Sequence, residues 1–284
     1  MNIVTLVMLL LTGMVGLCQN ENTLLWEVSG NDLKAPSYIF GTIHVVCPDD
    51  FELDAKVIDA YEKSQQLVLE LDMDDPNFMM DVQKLSVNPN MKNLSDKLPK
   101  EDLEVLNTFF KKHYQADMSQ LGILKPLALT SMITLKMFEC NQVVSYELKL
   151  IEKGKAKQWD VLGLETIKEQ FDVFDAIDEK KQLQWLVDYV NKETEMKEIF
   201  SELSSLYKKE NIVGLYELMK KQPEFKEMED TLLYERNKKW IDKIVEIAEE
   251  KPTFFAFGAA HLVSEKGVIA LLKKKGYNVK PIMN

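Results

Sequence analysis

The sequence predicts an α/β (α+β) fold: a central mixed β-sheet formed by both chain ends, flanked by helices, with a large helical insertion at about 77–250. Three observations carry this. Each end of the 284-residue chain alternates apolar, strand-like runs with glycine turns and helical stretches, and the middle is almost wholly helical. Each end also holds one copy of a short pattern, Gly41-Thr42-Ile43-His44 and Gly258-Ala259-Ala260-His261, directly after an apolar run. In sheets flanked by helices, ligands collect beyond the C-terminal ends of the strands. Two of the chain's three histidines therefore point to one shared site.

Length and composition set the frame. The chain is long enough for a sizeable core, and its apolar fraction of 46% and charged fraction of 29% are those of an ordinary globular protein. A net charge of −11 argues against nucleic acid or an anionic membrane surface as partner. Residues 1–18 carry no charged side chain and a short apolar run, the pattern of a secretory signal peptide rather than a membrane span. The predicted localisation is secreted or periplasmic, with a possible lipid anchor to the envelope at Cys18. No later stretch is apolar enough to span a bilayer. After removal of the signal, Cys47 and Cys140 remain, either joined or as two unpaired core thiols.

The elements follow in order, and residues 22–284 read as a single domain. A strand at 23–28 ends in the turn 29–32, and a second at 37–41 completes a hairpin that delivers His44. Val57, Ile58 and Tyr61 mark a helix over 54–64, with Asp54 at its start. The apolar run 66–72 is a strand, so strand, helix and strand are complete by residue 72 and favour parallel pairing. Helical spacing then recurs through Leu103, Leu106, Phe109 and Phe110, and through Met132, Leu135 and Phe138 with Leu127 near the start. One strand interrupts the helices, at 158–164. Leu183, Leu186, Val187 and Val190 mark a further helix, 207–221 a short one, and 224–250 a long one stopped by Lys251-Pro252. The chain closes with a strand at 253–257, a helix at 264–275 stopped by Gly276, and a strand at 277–281.

The polar residues are weighed against bland alternatives. The glycines Gly41 and Gly258 are expected to let the backbone leave its strand through conformations closed to other residues. His44 and His261 are either held by nearby carbonyls or act as metal ligands or general bases. Glu70 lies inside an apolar strand on the same face as Val68 and Asp72; it is a strand-end surface residue, or a buried carboxylate that needs a cation or donors. Two imidazoles and one carboxylate with room for water form a known catalytic metal set. Arg236 and Asn237 interrupt the helix stripe of Leu233, Trp240, Ile244 and Ala248. Arg236 is a structural ion-pair partner, or a clamp for a substrate oxyanion or carboxylate. Glu165 is read as favouring a helix start, and His113 as a solvated surface residue. No glycine-rich nucleotide loop, cysteine-pair metal site or Gly-x-Ser-x-Gly nucleophile is present.

Read together, Leu25-Trp26-Glu27-Val28, Phe40-Gly41-Thr42-Ile43-His44, Leu69-Glu70-Leu71-Asp72, Gly163-Leu164-Glu165-Thr166 with Gln170, Glu235-Arg236-Asn237 and Gly258-Ala259-Ala260-His261 resemble the TraB/GumN family, which includes TIKI-type metalloproteases. The resemblance implies that His44, Glu70, Arg236 and His261 gather as catalytic residues in one cleft. It implies a divalent transition metal (Mn, Co or Zn) at His44, Glu70 and His261, supported by Gly41, Gly258, Asn237 and Glu165. The expected activity is metal-dependent hydrolysis, foremost of peptides. The alternative is a non-catalytic protein that sequesters a peptide or haem in the same cleft. Substrate is thus a peptide or small molecule.

Overall fold

The structure is a computed structural model that describes residues 22–283; the expected signal peptide and Cys18 lie outside the described residues. Its eight strands are β1 (Leu25–Ser29), β2 (Ser37–Thr42), β3 (Val45–Val46), β4 (Gln66–Leu71), β5 (Val144–Ser145), β6 (Val161–Glu165), β7 (Thr253–Gly258) and β8 (Asn278–Pro281). Six form one mixed sheet in the order β6-β4-β7-β2-β1-β8, while β3 and β5 pair separately. β1 and β2 are the expected antiparallel hairpin. The two chain ends interleave: β7 lies between β2 and β4 and is parallel to both. β6 extends the parallel run beyond β4, and β8 closes the other edge against β1.

Two interior strands explain the arrangement. Leu67, Val68 and Leu69 in β4, and the whole run Phe254 to Phe257 in β7, are sealed from solvent. A strand buried on both faces reads as a continuous apolar run and belongs in the middle of a sheet covered by helices. Each such Leu or Phe contributes about 1.5–3 kcal/mol through burial. The helical middle builds a further apolar cluster of its own, around Leu106, Phe110, Leu129, Ile133 and Leu186. Among the described residues no helix is long and apolar enough to cross a membrane.

Three expectations are corrected. The helix Pro126–Leu135 buries Leu129 and Ile133, with Met137 beyond its end, whereas Leu135 of the expected stripe is exposed. That helix is apolar nearly all round, so spacing alone could not choose its inner face. The long helix expected at 224–250 is three pieces, Pro223–Glu229, a π-helical turn at Asp230–Tyr234, and Glu235–Glu250. The π turn inserts one extra residue and so re-aims the last piece by about 100°. The helix before β8 starts only at Val268, because Ser264 is left-handed at φ 77° and Gly267 is still extended at ψ 158°.

Candidate functional site

Four parallel strands end side by side, and each delivers one polar residue to the same edge. Across the sheet these are Glu165 from β6, Glu70 from β4, His261 from the short turn after β7, and His44 from the turn after β2. Pairing of Thr42 with Gly258 brings the two histidine turns next to each other. The shared site expected from the repeated pattern is thus a consequence of β2 and β7 being neighbours.

The glycines serve a different purpose from the one expected. Gly258 has an ordinary φ of −50°, and among the described residues the left-handed glycines are Gly30 and Gly276. What both motif glycines provide is room. A Cβ on Gly41 would come within 2.7 Å of the Leu262 Cδ1 and 3.0 Å of the Ala259 Cα, so the two turns could not pack together. A Cβ on Gly258 would stand 3.3 Å from Glu70 Oε1, 3.6 Å from His261 Cδ2 and 3.7 Å from His44 Nε2. Gly258 thus leaves open the space on which the three side chains converge.

Glu70 sits at the centre. Its Oε1 accepts the Gly258 amide at 2.8 Å, and its Oε2 takes the Arg236 Nη2 at 2.5 Å. Burial alone would raise its pKa, but the guanidinium, the neighbouring imidazoles and the amide outweigh it and hold the carboxyl down at about 2. Arg236 is almost fully buried and has all five N–H groups engaged. Nε and Nη2 bind Glu165 at 3.0 and 2.6 Å, Nη2 also binds Glu70, and Nη1 reaches the Leu232 carbonyl at 2.9 Å and His261 Nε2 at 3.3 Å. The Leu232 carbonyl lies inside the π turn, so the turn that re-aims the helix also anchors its arginine. Trp240, one turn on, places its ring under the guanidinium and beside His261, and donates its indole N–H to Glu165. Glu165 is therefore an ion-pair partner; the following helix is started by Thr166 and Glu169 as a capping box.

The two histidines have opposite surroundings. His261 is buried, and its Nδ1 lies 2.5 Å from Asn237 Oδ1. Asn237 donates its amide to the Lys266 carbonyl at 3.0 Å, which leaves Oδ1 as the acceptor and puts the ring proton on Nδ1. Burial, reinforced by the nearby Arg236 charge, lowers this imidazole to about 3, so it is neutral with its Nε2 lone pair facing the cleft. His44 instead opens to water, with 64% of its side chain exposed. Its Nδ1 stands 3.0 Å from Glu147 Oε1, and its Nε2 faces Glu70 Oε1 at 4.0 Å. Crowding by protein on the inner side works against protonation, but Glu147 and then Glu70 outweigh it and push the ring up to about 9. Water on the open side screens part of that pull.

Donor chemistry is where the implied metal can be tested. Glu70 Oε1 lies 4.0 Å from His44 Nε2 and 3.9 Å from His261 Nε2. Both rings have Nδ1 committed to a dedicated acceptor, which is how ligating histidines are oriented. Glu70 is ionised and His261 neutral, the forms a cation requires. Two features compete: the Arg236 Nη1 on the His261 lone pair, and the proton that Glu147 and Glu70 hold on His44. Among the described residues no three such side chains stand close enough to hold an ion as they are. The donor types suit a divalent transition ion only once the Arg236 contact yields and His44 gives up its proton.

Sequence reasoning missed Glu147 and Trp240. Glu147 lies in the first turn of the helix Tyr146–Ala156, where an acidic residue ordinarily serves the helix dipole; no sequence signal shows that it turns into the cleft. Asp72, just beyond the end of β4, accepts the Asp74 and Asp75 amides in a local turn. His113 is half-buried against Phe109, and its Nε2 has no hydrogen-bond partner, rather than being solvated. Cys47 and Cys140 form a disulfide. A groove of about 670 Å³ runs along this disulfide past Phe138 and Phe200, but none of the cluster's side chains lines it.

The fold and site define a mixed α/β protein with a polar cluster across the C-terminal ends of four adjacent parallel strands. The TraB/PrgY/gumN family model matches residues 24–281, nearly the whole chain, and the protein belongs to that family. No curated protein and no solved structure gives a significant match.

Proposed function

We propose that this cleft is the centre of a metal-assisted hydrolase acting on peptide bonds. The observation that carries the reading is Glu70 Oε1 set between two imidazole Nε2 atoms, each ring locked from behind. His44, Glu70 and His261 would hold the ion, which when bound supplies Lewis acidity and an acidified water. The protein's own groups set the conditions. Arg236 keeps Glu70 ionised, and Asn237 keeps the His261 lone pair directed at the cleft. The Arg236 N–H available to a scissile carbonyl is the one now spent on His261. The preference for peptides rests on the resemblance to TIKI-type metalloproteases. The Cys47–Cys140 disulfide supports a secreted or periplasmic setting, since such bonds persist in oxidising compartments.

The test is metal analysis beside a peptide-library assay. Purified protein should bind about one manganese, cobalt or zinc ion per chain and cleave peptides in its presence, and His44→Ala should lose both. Absence of metal binding together with absence of divalent-ion-dependent cleavage sinks the proposal. Stoichiometric haem uptake with a Soret band would favour the sequestering alternative instead.

A further inference from the structure

A second polar assembly stands behind His44, and the fold devotes several features to it. Glu147 is buried, yet its carboxylate is fully used. Oε1 accepts the Thr42 hydroxyl at 2.7 Å and faces His44 Nδ1 at 3.0 Å, and Oε2 accepts the Ser145 hydroxyl at 2.9 Å. With hydroxyls donating to both oxygens, the carboxylate is left as the acceptor that faces the His44 ring nitrogen.

The segments that carry the pair are stitched together independently of the main sheet. β3 follows His44 directly and pairs with β5, which leads directly into Tyr146 and Glu147. The Tyr146 amide donates to the His44 carbonyl at 3.2 Å, and the Cys47–Cys140 disulfide closes the same junction three residues beyond His44. Ser145 caps the helix through its contact with the Leu148 amide while also binding Glu147. Tyr207 buttresses the turn from the other side by donating to the Gly41 carbonyl at 2.9 Å. A two-residue ladder, a disulfide and a capped helix start all serve to keep one carboxylate beside one imidazole nitrogen.

We propose that Glu147 is a positioning residue that fixes His44 with its proton on Nδ1 and its Nε2 directed at Glu70, so that His44 can act at the cleft. The assignment deepens the hydrolase reading and, for its effect on catalysis, rests on it; the orientation itself does not. Free neutral imidazole exchanges between two tautomers, and an exposed ring also rotates. A single anionic acceptor at Nδ1 removes both freedoms.

The experiment is long-range ¹H–¹⁵N spectroscopy of the histidine rings, in the metal-free protein, at a pH where His44 is neutral. With three histidines in the chain the spectrum is assignable by single substitution. His44 should show the Nδ1–H tautomer in the native protein, and Glu147→Ala should lose that preference. The His261 pattern, set by Asn237, should stay unchanged and reports that the variant is folded. Glu147→Gln keeps the shape and a carbonyl for Nδ1 without the charge; it should retain the tautomer and bind manganese about 10-fold more weakly. The proposal is overturned by an Nε2–H tautomer in the native protein, or by a folded Glu147→Ala that keeps the native tautomer. Should Glu147→Ala not fold, native manganese affinity in Glu147→Gln overturns it. A protein that shows the expected tautomers but neither binds metal nor cleaves peptides refutes the hydrolase and leaves the orientation standing.

Discussion

Replacing Gly258 by alanine separates folding from function at a single atom. The backbone there, at φ −50° and ψ 131°, is one that alanine adopts without strain. At such positions Gly→Ala stabilises by about 0.4–1 kcal/mol, because the unfolded chain loses freedom. The new methyl would sit 3.3 Å from Glu70 Oε1, a contact that must relax by a few tenths of an ångström, with ordinary contacts to His261 and His44. These opposing effects are of similar size, so the melting temperature should move by no more than a few degrees. Function should respond very differently, because the methyl fills the space on which Glu70 Oε1 and both Nε2 atoms converge. A methyl that disables general acid–base work at this point should lower cleavage by about 10²–10⁴-fold, and metal affinity should fall with it. The assays are calorimetry, metal titration and peptide cleavage on the same preparation. Native metal affinity and cleavage in Gly258→Ala would refute the location of the reaction centre; gross unfolding would refute the argument from backbone conformation.

Further perturbations probe the network around that point. Arg236→Ala leaves Glu70 and Glu165 facing each other without their cation, and should cost about 3–5 kcal/mol in denaturant unfolding; a loss under about 1 kcal/mol would show that the carboxylates are solvated or protonated instead. In the metal-free protein His261, at about 3 against an ordinary 6.5, takes its proton later than the unfolded chain does, so stability should fall as pH drops from 6.5 toward 3. Glu70 adds to that loss between 4.5 and about 2. His44 works in the opposite direction: its raised value gives stability that is complete below 6.5 and lost as pH rises toward 9, through a shallow limb because the ring is exposed. Melting temperature against pH should therefore peak near 6.5, and His44→Gln should flatten the alkaline limb; an unchanged alkaline limb would contradict the Glu147 pairing. Reducing Cys47–Cys140, which spans 93 residues, should destabilise by up to about 4–5 kcal/mol in the chain-entropy account, read as a lower unfolding midpoint with reductant; identical midpoints would mean that the disulfide constrains nothing in the unfolded chain.

Which parts were legible in the sequence follows from how each residue is constrained. β4 and β7 announce themselves because a strand buried on both faces must be apolar throughout. Glu70 stands out for the same reason, as a carboxylate in such a strand requires a partner. The sequence shows that Arg236 and Asn237 break an apolar stripe, but not that a π turn before them rotates the stripe onto Glu70 and Glu165. Where a helix is apolar nearly all round, as at Pro126–Leu135, periodicity contains no choice of face. Glu147 is hidden for the opposite reason: an acidic residue in a first helical turn is common on the surface. Only the pairing of β3 with β5, a contact across about 100 residues of chain, turns it toward His44. Long-range pairing of two short segments has no local pattern to betray it.

The repeated glycine–histidine turns look equivalent in sequence and are opposites in the folded protein. The same offset from neighbouring parallel strands brings both Nε2 atoms within about 4 Å of Glu70 Oε1, but their backing differs. Burial keeps His261 neutral at ordinary pH, and Asn237, a neutral acceptor inside the core, fixes which nitrogen carries the lone pair. Glu147, a buried carboxylate behind an exposed ring, makes His44 hold its proton at neutral pH. Groups whose environments push their pKa values apart take different roles in acid–base chemistry. On that reasoning His261 is the fixed member of the pair, and His44 is the member whose proton must leave before its Nε2 can bind an ion. Exchanging the backings tests the division: Asn237→Asp should raise the His261 pKa, and Glu147→Gln should lower that of His44. If neither ring responds, the asymmetry between the two turns must come from burial rather than from their partners.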